Sequence, residues 1–168
     1  DEREERVYQA EPFDLEEMIR EVVRRFAQTN PDYQITCTIE GTPVVLADRE
    51  SIGQVLYNLI SNAINYTGED KRVFVASKLI GTGVRVEIRD TGRGIPADQL
   101  PLIWERYYRS RNTHQRPVAG SGLGLSIVKG ALSAQNLPFG VDSVVGEGSC
   151  FWFELPFGAL PSGREQEN

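Results

Sequence analysis

The chain has 168 residues, 40% of them hydrophobic and 25% charged, with a net charge of −6. That is one domain's worth of chain with enough apolar residues to bury a core, and its acidity argues against a general nucleic-acid-binding surface or attraction to anionic lipid. A single histidine and two distant cysteines, Cys37 and Cys150, argue against a zinc site, and no apolar run reaches the length of a membrane span.

Residues Asp1 to Glu11 are charged and aperiodic, as in a linker or the end of an upstream helix, and carry no signal-peptide pattern. Asp14 with Glu17 three positions on reads as an N-cap with a capping box. The stripe Leu15, Met18, Ile19, Val22, Val23 and Phe26 predicts a helix over about 14–28, stopped by Thr29-Asn30-Pro31. Tyr33, Ile35, Cys37 and Ile39 alternate with polar residues as a half-buried strand does, and Val44–Ala47 reads as a short buried strand. Asp48 then caps the next helix.

In that helix Ile52, Val55, Leu56, Leu59, Ile60 and Ala63 form an apolar face, while Asn58, Asn62 and Asn65 fall at i, i+4 and i+7 on another stripe. Asparagine is a mediocre helix former. Taken alone, the row is either a solvated polar face or a set of neutral oxygens able to hold a hard cation beside a phosphate. Two strands follow, Val73–Ile80 and Val84–Asp90, turned at Gly81-Thr82-Gly83. From Thr91 to about Ser121 periodicity is lost, with short turns expected near Pro96–Leu100 and Leu102–Arg106; an irregular stretch of that length usually serves function. A helix over about 122–135 and a hairpin, Phe139–Val144 and Ser149–Leu155, complete the pattern before a polar tail at 158–168, expected to be disordered. Helices and hairpins in this order predict an α+β layered sandwich rather than a parallel doubly wound sheet. The two cysteines read as a buried, reduced pair in a cytosolic protein, with a disulfide as the alternative.

Three stretches can carry chemistry. Asp90-Thr91-Gly92-Arg93-Gly94-Ile95-Pro96 ends a buried strand, where a carboxylate can accept from an exocyclic amine and glycines let a flat ring approach; Asp-x-Gly is also ordinary turn chemistry. Gly120-Ser121-Gly122-Leu123-Gly124-Leu125 leads into a helix, so its free amides could bind an anion, or it could be a hinge. No strand precedes it, as a dinucleotide fold would need, and no Gly-Lys-Ser/Thr occurs. Between them four arginines and no acid lie from Arg106 to Arg116, a local positive patch suited to polyphosphate, with a nucleic-acid patch as the rival.

Together these pieces resemble the ATP-binding catalytic domain of bacterial sensor histidine kinases, in the gyrase, heat-shock chaperone, histidine kinase and MutL superfamily. Asn58–Thr67 resembles the N box, Asp90–Pro96 the first G box, Ile103–Arg109 the F box and Gly120–Leu125 the second G box, in the family's order. The resemblance extends from about Phe13 to Pro156 and includes the closing Gly-x-Gly-Ser-x-Phe at Gly146–Phe151. It implies a Bergerat-type two-layer α/β sandwich over 12–157, with a mixed sheet of about five strands backed by three helices and an ATP lid at about 96–120.

By the same resemblance Asp90 binds the adenine amino group, with Gly92, Gly94 and Ile95 lining the base. Asn62 coordinates Mg²⁺ with Asn58 nearby. Tyr66, Arg109 and the amides of Gly122, Leu123, Gly124 and Leu125 contact ribose or phosphates, and Asn65, Tyr108, Gly120 and Ser121 belong to the same nucleotide-binding set. Asn58, Asn62 and Arg109 are the expected catalytic residues. Three departures stand out: Asn65 replaces the usual Lys or Arg, Trp104 the usual Phe, and Gln135-Asn136-Leu137-Pro138 the common His-Gly-Gly.

ATPases of this superfamily carry a glutamate where this chain has Asn58, which is a poor general base. The expected activity is therefore transfer of the γ-phosphoryl group of ATP to a histidine on a separate dimerisation domain, in preference to efficient hydrolysis. His114, inside the lid, is expected to be an exposed lid residue and not the acceptor. Expected partners are that dimerisation domain and, through it, a cognate response regulator, with no nucleic acid and no direct membrane contact from this segment. The module itself is expected to be cytoplasmic and monomeric. A nucleotide-binding regulatory module without phosphotransfer activity is the alternative, and a serine-kinase relative a third option.

Overall fold

The computed structural model describes residues 7–106 and 124–158. Tyr108, Arg109, Gly120, Ser121, Gly122 and Leu123, the rest of the expected lid from 107 on including His114, and the tail beyond Gly158 lie outside the described residues. In chain order the elements are β1 (Ala10–Asp14), α1 (Leu15–Thr29), β2 (Gln34–Ile39), β3 (Val44–Asp48) and α2 (Arg49–Tyr66). They continue with β4 (Arg72–Ile80), β5 (Gly83–Asp90), a 3₁₀ turn (Ala97–Gln99), α3 (Gly124–Ala134), β6 (Phe139–Val144) and β7 (Gly148–Pro156).

Local chemistry fixes the helix starts. Asp14 accepts from the Glu17 N–H (3.1 Å) and Asp48 from the Ser51 N–H (2.9 Å), each satisfying a donor that the first turn leaves free. Helix α1 buries Leu15, Ile19 and Phe26 and laces its wet face with Arg20–Glu16 (2.9 Å) and Arg25–Glu21 (3.0 Å) pairs. At its end the Asn30 side chain donates to the Phe26 carbonyl (3.0 Å), ahead of Pro31.

The five-stranded sheet has the order β2-β4-β5-β7-β6, with β2 and β4 parallel and the other neighbours antiparallel. It is the mixed sheet of an α+β sandwich. Val73 and Val75 of β4, Val84, Val86 and Ile88 of β5, and Phe151, Phe153 and Leu155 of β7 turn inward to one core shared with the helices. The period of two sends Arg85, Glu87, Trp152 and Glu154 to the other face. There the Arg85 guanidinium stacks 4.0 Å over the Trp152 ring and pairs with Glu87 (3.0 Å) and Glu154 (3.2 Å). Cys37 is half-buried and Cys150 buried, both as free thiols.

Strand β1 is an element that periodicity did not reveal. It pairs antiparallel with β3, from Ala10 opposite Asp48 to Asp14 opposite Val44, and takes up Ala10 and Glu11 from the charged leading segment. Pro12 is tolerated there because the pair forms a two-stranded sheet of its own. The replaced His-Gly-Gly turn is built by Asn136, which takes the left-handed conformation (φ 59°) that glycine usually supplies after a helix. The Leu137 N–H then donates to the Leu132 carbonyl (2.9 Å), closing α3.

Candidate functional site

The asparagine helix is the scaffold. Ile52, Val55, Leu56, Leu59, Ile60, Ala63 and Ile64 of α2 are buried, and Asn58, Asn62 and Asn65 are half-buried beside that face. The Asn58 Nδ2 is buried with no hydrogen-bond partner among the described residues. An orphaned buried amide costs about 1–3 kcal/mol, so it is a group that a ligand can satisfy. No cluster of three His, Cys, Asp or Glu side chains among the described residues could hold a metal ion. Asparagine oxygens of α2, with oxygens brought by a ligand, would make a donor set that suits Mg²⁺.

Asp90 ends β5 at 3% exposure, and burial pushes its carboxyl up to about 6, against the backbone N–H groups of Gly92 and Ser149 and the charge of Arg89. The Gly92 N–H donates to Asp90 Oδ1 at 2.8 Å. Gly92 passes under the last turn of α2, where a β-carbon would sit 1.9 Å from the Tyr66 carbonyl oxygen. Gly94 has φ +78° and would place a β-carbon 2.3 Å from the Val144 carbonyl oxygen. Both positions of the first glycine motif thus require glycine. The loop is pinned to the β6–β7 hairpin by Ile95 N–H to Ser143 Oγ (2.8 Å) and Gly146 N–H to the Arg93 carbonyl (2.8 Å).

The chain leaves this loop through the 3₁₀ turn and is anchored by Ile103, which is buried, and by Trp104. The indole meets Phe139 and Phe151 edge-on, with centroids 5.1 and 5.7 Å away. Its role is packing. Helix α3 then starts at Gly124, where a β-carbon would meet open space, and Leu125 packs against the core. The structure therefore brings Asn58, Asn62, Asn65, Tyr66, Asp90, Gly92, Gly94 and Ile95 into two neighbouring elements, α2 and the loop after β5, with α3 packed on α2.

Sequence reasoning assigned no role to the residues that join these elements. Thr67, fully buried, donates to the Arg72 carbonyl (2.6 Å) and accepts from the Thr91 N–H (3.1 Å). The Thr91 hydroxyl donates to Asp70 (2.6 Å), and that bond, first among its causes, holds the Asp70 carboxyl below its usual range. Ser149 lies opposite Asp90 in the β5–β7 register, and its hydroxyl meets Ser143 Oγ at 2.8 Å. Thr67, Thr91 and Ser149 stood inside the motifs, but their pairing links residues 24 or more apart or in different strands, which no local pattern encodes.

Residues 47–159 match the family described as "Histidine kinase-, DNA gyrase B-, and HSP90-like ATPase". The adaptive-response sensory kinase SasA of Crocosphaera subtropica is 37% identical over 155 residues, covering 89% of this chain and 40% of the relative. The catalytic domain of histidine kinase ThkA superposes with a TM-score of 0.76 at 30% identity, over 88% of this chain and 95% of that one. Full-length ShkA in complex with AMPPNP gives 0.77 at 29% identity, over 92% of this chain and 32% of that one. ThkA in complex with response regulator TrrA gives 0.72 at 29%, over 89% and 42%. The chain spans about a quarter (24%) to two fifths (40%) of the first curated relatives it matches.

Proposed function

Because the chain belongs to the family of histidine kinase-, DNA gyrase B- and HSP90-like ATPases, we propose that it is the catalytic module of a two-component sensor histidine kinase. It binds Mg-ATP and passes the γ-phosphoryl group to a histidine on a dimerisation domain, which in turn serves a response regulator. The observation that carries this reading is the meeting of a buried carboxylate, Asp90, with the last turn of the asparagine helix through Gly92 and Tyr66. A base recognised by Asp90 thereby has its phosphates directed along the side of α2 that bears Asn58 and Asn62. The relatives named as histidine kinases, and ShkA's complex with AMPPNP, support it.

Asp90 accepts from the adenine amino group, and its two backbone donors hold the carboxyl in place without neutralising it. Gly92 and Gly94 let the ring approach the backbone. The first amides of α3 donate to phosphate oxygens. Mg²⁺, held by the Asn62 side-chain oxygen together with phosphate oxygens, would supply charge neutralisation during transfer. Asn58 donates its free Nδ2–H to the phosphate side and has no carboxylate with which to take a proton from water, which favours transfer over hydrolysis.

The site of action is cytoplasmic on this reading, and no helix among the described residues is long and apolar enough to cross a membrane. A second reading, a nucleotide-binding regulator without transfer, is favoured by one residue: Asn65 stands where the resemblance leads one to expect a phosphate-binding cation. The experiment is to supply Mg-ATP labelled at the γ-phosphate and a separately produced histidine-bearing dimerisation domain. Label on that histidine, lost in Asn62→Ala, is the expected result. Nucleotide binding without any label transfer would select the regulator.

A further inference from the structure

We propose that Gln135 is a positioning residue for the phosphate end of the nucleotide, fixing α3 to α2 at the end opposite the site. The inference rests on the ATP-binding reading above. Gln135 Oε1 accepts from the Asp48 N–H (3.0 Å), while its Nε2 donates to Ser51 Oγ (2.8 Å) and to the Ala131 carbonyl (3.1 Å). Ser51 Oγ donates onward to the Asp48 carbonyl (3.1 Å). The Asp48 carboxylate accepts from the Ser51 N–H through one oxygen (2.9 Å) and from the Gln9 N–H through the other (2.8 Å). Asp48 is 7% exposed and Ser51 1%, so water does not compete for these bonds. The junction needs an acceptor and a donor on one planar fork; Leu offers neither and Glu lacks the donor.

The geometry gives this fastening leverage. Gln135 follows the last residue of α3 and Asp48 caps the first turn of α2, whereas Gly124 starts α3 and Asn58 and Asn62 lie in the second half of α2. At 1.5 Å per residue the start of α3 is about 16 Å from the junction. A pivot of about 5° there would move the amides of α3 by more than about 1 Å, enough to spoil contacts whose strength depends on placement. Asp90 is held separately, by Gly92, Ser149 and the Thr67–Thr91 pair. Loss of the junction should therefore weaken phosphate contacts and spare recognition of the base.

The test is binding of Mg-ATP and of adenosine to wild type, Gln135→Leu, Gln135→His and Ser51→Ala, by calorimetry and NMR titration. Gln135→Leu should weaken Mg-ATP by about tenfold and adenosine by less than about twofold. Gln135→His, which keeps one donor and one acceptor, should recover most of the loss, and Ser51→Ala added to Gln135→Leu should cost little more. Equal losses for both ligands, or no loss, would overturn the proposal. If Gln135→Leu does not fold, the same comparison on Ser51→Ala decides it by the same criterion. A wild type that binds neither ligand overturns the ATP reading itself, and this inference with it.

Discussion

The α-carbon of Gly92 lies directly beneath the carbonyl oxygen of Tyr66, so that a β-carbon there would be 1.9 Å from that oxygen. Two motifs separated in sequence are thereby in backbone contact. Gly92→Ala must push the loop from the end of α2, at a cost of about 1–3 kcal/mol for overpacking. It also shifts the N–H that holds Asp90. The expected outcome is a lowered midpoint in urea denaturation together with a larger loss of ATP affinity, and unchanged affinity would show that the contact is not needed.

Asp90 supplies a pH dependence whose sign can be worked out. Its folded-state value of about 6 lies above the unfolded value of 3.8. Between these values the native state keeps a proton that the unfolded state loses, so this group's contribution to stability falls as pH rises, by up to about 1.4 kcal/mol per pH unit. Below the window both states are protonated, and above it the cost is constant. Asp90→Asn should therefore gain stability on wild type from about pH 4 to 6 and then level off. ATP binding behaves oppositely: it needs the carboxylate, so affinity should fall as pH drops through about 6. Asp90→Asn should bind ATP weakly and lose that dependence.

Asn65 is half-buried in the last turns of α2, one residue before Tyr66. Placing a cation there should restore a contact to phosphate. Asn65→Lys is expected to tighten Mg-ATP by up to about fivefold, as one partly screened ion pair allows, and to leave adenosine unchanged. The gain should shrink at high salt. Titrations at two ionic strengths would check it.

Trp104 meets Phe139 and Phe151 edge-on. Trp104→Phe preserves an aromatic in the same slot and should cost less than about 1.5 kcal/mol. Trp104→Ala opens a cavity beside Phe151 and should cost about 2–3 kcal/mol, somewhat below a fully buried site. Chemical denaturation of both variants measures the difference.

Much of this protein was legible from windows of a few residues. Asp14 and Asp48 cap the helices that follow them, and the apolar stripes of α1 and α2 are the buried ones. Val84, Val86 and Ile88 of β5 enter the core at the spacing of two that their alternation with Arg85, Glu87 and Arg89 gives. These features depend on neighbours at i+2, i+3 or i+4, so the sequence by itself determines them. It also determined the family, because the four boxes keep their order along the chain.

Tertiary structure alone decided the rest. Ala10 and Glu11 join a strand only because β3 is there to pair with them. The parallel placement of β2 beside β4, the passage of Gly92 under Tyr66 and the Thr67–Thr91 bond each bring together elements that no periodicity relates. Gln135 reaches Asp48 across 87 positions. Such contacts form where the packed core leaves a donor facing an acceptor. The asparagine row, ambiguous within its own helix, acquires its setting from the same source: the sheet end that bears Asp90 closes against the last turn of α2.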